Sequence, residues 1–273
     1  MKRFLAIAAL LLALFAIKAI YDTVREPVVR RLSWSANLPD KAPRRIVLLA
    51  DIHVAGPDMP PTRLRRIVDQ VNSLKPDYVM IAGDFVSDKR TATRHFSSSE
   101  SLQPLEGLDR RAIRIAVPGN HDHLRVIESI ERLLTRMGFR VLRNEVIEVD
   151  GLSIAGLDDD FTGRAELGAV LPALAAVDRP VILLSHSPDP FADLPANTGL
   201  MLAGHTHCGQ IGWPWGGSPA TMSKHGDLYA CGVASERGNV LVTSAGLGTS
   251  ILPFRLFTSP ELWVIDVVPR RKD

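Results

Sequence analysis

Five short aliphatic runs, each ending on a residue able to bind a hard or borderline metal ion, constrain this chain more than any other feature. Ile46-Val47-Leu48-Leu49-Ala50 runs into Asp51-Ile52-His53, and Tyr78 to Ala82 runs into Gly83-Asp84. Ala112 to Val117 leads to Pro118-Gly119-Asn120-His121-Asp122, Val181 to Leu184 leads to Ser185-His186, and Leu200 to Ala203 leads to Gly204-His205-Thr206-His207. Runs of this length and composition read as strands buried on both faces. In an open sheet the binding crevice lies off the strand ends. Five such ends facing one crevice gather these carboxylates, imidazoles and the amide into one cluster. A His-x-His pair is a weak signal when it stands alone; here it has company.

The order Asp-x-His, Gly-Asp, Gly-Asn-His-Asp, His, Gly-His-x-His resembles that of the calcineurin-like metallophosphoesterases, and the blocks span residues 46 to 210. The tail is similar to the branch of membrane-associated bacterial phosphodiesterases related to YkuE and YaeI, through Gly209-Gln210-Ile211, Gly246-Leu247-Gly248-Thr249-Ser250, Leu252-Pro253-Phe254-Arg255 and Pro260-Glu261. The resemblance implies an α/β fold, a four-layer α-β-β-α sandwich of two mixed sheets. It also implies two divalent metal ions that share the carboxylate of Asp84. The first takes Asp51, His53 and His207, and the second takes Asn120, His186 and His205. Oxygen and imidazole donors without thiolate suit Mn²⁺, Fe or Zn²⁺ and accept Mg²⁺ less readily. Four positive charges against two carboxylates leave a surplus that suits a phosphate oxyanion and makes metal-bound hydroxide available to attack phosphorus. By the same resemblance His121 protonates or stabilises the departing oxygen, and Asp122 holds its tautomer.

The start of the chain carries a second message. Met1-Lys2-Arg3 precedes an unbroken apolar run from Phe4 to Ile17, then Lys18. It has no polar face, so it is no ordinary surface helix of a globular domain. No pair of small residues suits cleavage after Phe15, and the segment over residues 1–21 reads as an uncleaved membrane anchor. Lys18, Arg25, Arg30 and Arg31 follow the apolar run and outnumber Lys2 and Arg3, which favours the cytoplasmic face of a bacterial inner membrane for what comes after. Export remains an alternative. Residues 22–44, with Pro27, Pro39, Pro43 and mixed charge, read as a stalk, and residues 45–273 as the catalytic domain. The two cysteines, Cys208 and Cys231, are compatible with one disulfide or with two free thiols. A net charge of +2 over 273 residues gives no reason to expect a nucleic-acid partner, and nothing in the pattern fixes an oligomeric state.

Between the blocks, Leu64, Ile67, Val68, Val71 and Leu74 recur at helical spacing, with Thr62 placed to cap them. Val126, Ile127, Ile130, Leu133, Leu134 and Met137 form a second such stripe. Val146 to Val149, Asp150-Gly151 and Leu152 to Ala155 read as a hairpin. Asp158-Asp159-Asp160 lines the crevice or is solvated, and Arg255 reaches a second phosphate or headgroup or lies free on the surface. Trp213-Pro214-Trp215, Ile211, Phe254, Leu256 and Phe257 supply bulky apolar groups after the metal ligands, which suits a bilayer interface. The leading expectation is therefore hydrolysis of a lipid-linked phosphodiester or pyrophosphate. The UDP-2,3-diacylglucosamine pyrophosphatases of lipid A synthesis are similar in metal blocks and are one alternative. A non-catalytic binding scaffold of the same fold is another, although such a scaffold is expected to lack ligands that are all present here.

Overall fold

The computed structural model describes residues 1–177 and 179–270. Asp178 and the last three positions of the expected 45–273 domain lie outside the described residues. In chain order the first strands are β1 (Val28–Ala36), β2 (Arg44–Ala50), β3 (Ala55–Gly56), β4 (Tyr78–Ala82), β5 (Arg94–His95), β6 (Ile113–Val117) and β7 (Phe139–Val141). There follow β8 (Glu145–Val149), β9 (Leu152–Gly156), β10 (Val181–Leu184), β11 (Leu200–Ala203), β12 (Gly232–Glu236), β13 (Asn239–Thr243) and β14 (Glu261–Pro269). The helices are α1 (Lys2–Val24), α2 (Pro61–Ser73), α3 (Ser98–Leu102), α4 (Asn120–His123), α5 (Ile127–Arg136) and α6 (Leu167–Ala175).

Two mixed six-stranded sheets result, one ordered β1-β14-β2-β4-β6-β7 and the other β12-β13-β11-β10-β9-β8, while β3 and β5 pair as a small ribbon. All five aliphatic runs are strands, and β2, β4 and β6 run parallel, as do β10 and β11. Alternation along β2 explains the layers. Ile46 and Leu48 point into the core between the sheets, with Tyr78, Met80, Ile154, Leu184 and Leu202, whereas Val47 and Leu49 face Leu64, Ile67 and Leu134 of the covering helices. A third core packs Val170, Leu174 and Phe191 on the outer face of the second sheet. Three cores separate four layers, so the expected α-β-β-α sandwich is the architecture found. The hairpin of β8 and β9 and the helix after Asn120-His121-Asp122 also form where expected.

Two expectations are corrected. Residues 22–44 are not a free stalk: β1 pairs in parallel with β14 over its whole length, from Val28 opposite Glu261 to Ala36 opposite Pro269. Leu32, Trp34 and Ala36 alternate with Ser33 and Ser35, and this period of two outweighs the prolines on either side. Thr62 does not cap α2; Pro60 occupies that position and Pro61 begins the helix, where its fixed φ and missing N–H cost nothing.

Helix α1 is 23 residues long and nearly all exposed. At about 1.5 Å per residue it covers about 34 Å, enough to cross a hydrocarbon layer of about 30 Å. It is a candidate anchor. Its C-terminal half docks on the domain: the Arg255 N–H donates to Thr23 Oγ1 at 2.6 Å, the Phe257 N–H to Asp22 Oδ2 at 2.9 Å, and Phe15 meets Phe257 edge to face.

Candidate metal centre

Strand ends from both sheets converge where the parallel strands stop. Asp51 and His53 follow β2, Asp84 follows β4, and Asn120 and His121 follow β6. His186 follows β10, and His205 and His207 follow β11. The convergence needs close backbone approach. A Cβ at Gly83 would stand 2.7 Å from the Gly119 nitrogen and 2.8 Å from His186 Nδ1, so only glycine lets these three strand ends meet. Asp51, His53, Asp84, His205 and His207 all take positive φ between 48° and 71°. Each such residue costs about 1 to 3 kcal/mol. Strain repeated at five candidate ligands is held only because the surrounding sheets overdetermine it.

The side chains form two clusters joined at Asp84. Its Oδ2 lies 3.2 Å from His53 Nε2 and 3.2 Å from His186 Nε2. On one side His53 Nε2 faces His207 Nε2 at 3.1 Å, and His207 Nε2 lies 3.7 Å from Asp51 Oδ1. On the other, His186 Nε2 lies 3.0 Å from Asn120 Oδ1 and 3.1 Å from His205 Nδ1. All seven residues expected as metal ligands are buried and are brought together. Backbone groups aim them: the His205 N–H donates to both Asp51 oxygens, the His121 N–H donates to Asp84 Oδ1 at 2.9 Å, and His186 Nδ1 sits 2.8 Å from the Ala82 carbonyl.

Electrostatics fit cations. Burial pushes His53 and His205 down to about 4, so both imidazoles are neutral at neutral pH. Burial raises the Asp51 carboxyl to about 7, with the Asp84 charge adding to it. His186 is pushed up to about 10, because burial, which disfavours its charge, is outweighed by the carboxylates of Asp84 and Asp51. Burial opposes ionisation of Asp84 too, yet His186 and His53 hold it well below the usual carboxylate range. His53 Nδ1 and His205 Nε2 are buried without a hydrogen-bond partner. The nitrogens that face the clusters are the other two, His53 Nε2 and His205 Nδ1, and Asp51, His53 and His207 form one set with ligand atoms within 4.8 Å of one another, a donor set that suits divalent cations.

His121 lines the crevice above the clusters, its ring edge to face with His53 at 4.8 Å. Its Nδ1 is held by the carboxylate of Asp88. The expected partner, Asp122, is elsewhere: it accepts N–H bonds from Asp84 at 2.9 Å, Phe85 at 2.9 Å and Gly119 at 3.0 Å. Asp122 thus fastens the Asp84 turn to the Gly119 turn and does not touch the His121 imidazole. With the Val86 N–H at 3.4 Å it has four N–H donors around it, and a carboxylate does better there than beside one ring.

Other side chains resolve similarly. Arg255 is fully buried and does not lie free on the surface; its Nη2 lies 3.2 Å from His207 Nδ1 and donates to the Ala245 carbonyl at 2.7 Å. Asp158 binds His123 at 2.6 Å and Arg143 at 2.8 Å, away from the ligand clusters. The Asp159 turn carries Phe161 over His205, with ring centroids 4.7 Å apart. Cys208 and Cys231 form a disulfide, which ties the turn after His207 to the segment after Tyr229. Asp88 was not legible in the sequence, since no spacing links it to His121.

Comparison with known proteins comes to the same place. The sequence model described as calcineurin-like phosphoesterase matches residues 44–209. An uncharacterized metallophosphoesterase of Helicobacter pylori is 29% identical over an alignment covering 100% of this chain and 72% of that protein. The uncharacterized metallophosphoesterase YkuE of Bacillus subtilis is 32% identical, covering 74% of this chain and 71% of that one. A protein of Danio rerio named transmembrane protein with metallophosphoesterase domain is 29% identical, covering 94% of this chain and 61% of that one.

Proposed function

The chain belongs to the calcineurin-like phosphoesterase family, and from that membership we propose that it is a dinuclear metal-dependent hydrolase cleaving a phosphodiester or pyrophosphate bond of a lipid-linked substrate. The observation that carries this reading is the position of Asp84 Oδ2, 3.2 Å from an imidazole of each cluster. Asp51, His53 and His207 would hold one ion and Asn120, His186 and His205 the other, with Asp84 within reach of both sets; Mn²⁺ suits the donors best, with Fe, Zn²⁺ or Mg²⁺ as substitutes. Such a pair, when bound, supplies positive charge to phosphoryl oxygens and a nucleophilic oxygen from water near neutral pH. His121 stands on the open side of the clusters with Nδ1 committed to Asp88, which leaves Nε2 to give a proton to the departing oxygen. Phe161, Ile211 and Leu252 line the remainder of the crevice with apolar surface.

Attachment to a membrane through α1 is supported by its length and apolarity and by the printed name of the Danio rerio relative, and a bacterial inner membrane is the membrane proposed. The disulfide supports the oxidising side of that membrane over the cytoplasmic face, since such bonds persist where thiols are not kept reduced. The basic residues that favoured the cytoplasm carry less weight because Arg30 and Arg31 belong to a strand of the folded domain, and folded domains translocate largely regardless of charge. The test is metal analysis of the Mn²⁺-supplemented chain together with turnover of a soluble chromogenic phosphodiester. Metal-dependent turnover that Asp84→Asn abolishes supports the reading, and a chain that binds no metal ends it.

A further inference from the structure

The crevice of about 480 Å³ has an apolar wall made by Phe161, Ile211, Met222, Ile251 and Leu252, over a floor of Asp84, Asn120, His121, His205 and His207. Several side chains of that wall and of the turn beside it point away from any core: Trp215 is 80% exposed, Ile251 70% and Trp213 46%. Trp213 and Trp215 stack face to face with ring centroids 5.6 Å apart, forming one rigid apolar knob. Monomeric soluble proteins rarely leave such a patch beside a binding site without an occupant.

The position of α1 identifies the occupant. Phe257 touches Phe15 and lies under the Lys18 ammonium, 4.9 Å from its ring centroid, so the 254–257 segment sits at the depth where the apolar helix ends and its polar turn begins. Ile211 pairs with Leu256 as neighbouring extended chain, and the Gly212 N–H donates to the Leu256 carbonyl at 2.8 Å. Gln210 extends the same sheetlike edge to the crevice wall: its Nε2 donates to the carbonyls of Leu252 and Phe254 at 2.9 and 3.0 Å. The Ile211 and Leu252 part of the wall, the turn that carries the two tryptophans and the end of the candidate spanning helix are thus joined along one hydrogen-bonded edge. Paired tryptophans with an apolar body and an N–H suit the interface between headgroups and acyl chains.

We propose that this edge inserts into the lipid bilayer, so that the crevice opens at the membrane interface and takes its phosphoester from an amphiphile lying in the same leaflet. The inference rests on the hydrolase reading above and adds to it the surface that meets the membrane and the route by which the lipid-linked substrate enters. Polar headgroup and phosphate reach the floor while the apolar part remains among lipid chains beside Ile251 and Leu252. A substrate delivered in this way never crosses water.

The experiment uses the full chain reconstituted in lipid nanodiscs, either ordinary or assembled with phospholipids brominated along the acyl chain, and reads tryptophan fluorescence. The wild type loses fluorescence in brominated discs, and Trp213→Phe/Trp215→Phe loses most of that quenching, leaving Trp34 and Trp263 as the residual signal. Equal quenching of both proteins overturns the proposal. So does quenching by aqueous iodide in place of brominated lipid, and so does protection from both, which would place a second copy of the chain on the edge. Turnover of a soluble chromogenic diester is measured on the same samples: its absence defeats the hydrolase reading, whereas its presence without lipid quenching defeats only the membrane-facing crevice.

Discussion

Arg255 places its guanidinium Nη2 3.2 Å from Nδ1 of His207 and is itself completely buried. The same nitrogen donates to the carbonyls of Ala245 and Gly248, and the Arg255 N–H donates to Thr23 in the last turn of α1. The guanidinium therefore ties two turns of the domain to the backbone of a candidate metal ligand, through Nη1 and the His207 carbonyl at 3.5 Å, while the backbone of the same residue holds the end of the anchor. Arg255→Met is expected to lower Mn²⁺ affinity or turnover by roughly 10- to 100-fold, the usual cost of losing a residue that orients a ligand. Arg255→Lys is expected to fall between, because an ammonium cannot reproduce the fork. Calorimetric Mn²⁺ titration of both variants checks this, and unchanged affinity and turnover in Arg255→Met would refute it.

Asp88, rather than Asp122, is the partner of the His121 ring, and the two acids are expected to fail differently when neutralised. Asp88→Asn leaves the fold and metal content intact and lowers kcat, most for substrates with poor leaving groups that need a proton, by up to the roughly 100- to 10,000-fold of a lost general acid. In His121→Ala, adding Asp88→Asn brings little further loss, since both act on one proton. Asp122→Asn instead weakens the link between the Asp84 and Gly119 turns, and is expected to lower the melting temperature and metal content together. Paired measurements of kcat and melting temperature separate the two outcomes.

That division shows what the sequence made legible. The five strand ends were readable because buried parallel strands have a recognisable composition, and because glycines and ligands stand directly after them. All seven proposed ligands stand in those blocks, and the family resemblance picked them out from the other residues there. The partner of His121 was not, since Asp88 is 33 positions away and only the packed turn brings them together. Arg255 was misjudged for a related reason. Exposure of an arginine cannot be read from its neighbours, and its burial here depends on carbonyls contributed by turns that precede it. The strand at Val28–Ala36 carried its alternation openly, yet prolines on both sides pointed to a linker.

Metal binding is expected to release protons, and the number depends on pH. In the metal-free chain His186 carries its proton below about 10 and Asp51 below about 7, whereas His53 and His205 are already neutral above about 4. Binding ions to these groups at pH 6 therefore expels about two protons, and at pH 8 about one. Affinity rises with pH throughout, more steeply below about 7. Mn²⁺ titrations in buffers of different ionisation enthalpy count the protons directly. Zero release at pH 6 would show that His186 and Asp51 are not ligands.

The bond between Cys208 and Cys231 closes a loop of 23 residues beginning one position after His207. Chain-entropy reasoning assigns a loop of this size roughly 3 kcal/mol of stabilisation, acting on the unfolded chain. The local consequence is larger than the global one. Cys208 and Gln210 both hold positive φ, and Thr206 ties the same turn to the Ala230 carbonyl at 2.6 Å, so the bond restrains a strained turn that carries two of the proposed ligands. Cys208→Ser/Cys231→Ser is expected to melt at a lower temperature and to bind the ion on the His207 side more weakly, while the core strands keep their hydrogen-exchange protection. A purely global effect would lower stability and leave metal affinity in the folded protein untouched. Thermal melts and Mn²⁺ titrations of the wild type with and without a dithiol reductant, set against the double variant, distinguish the two.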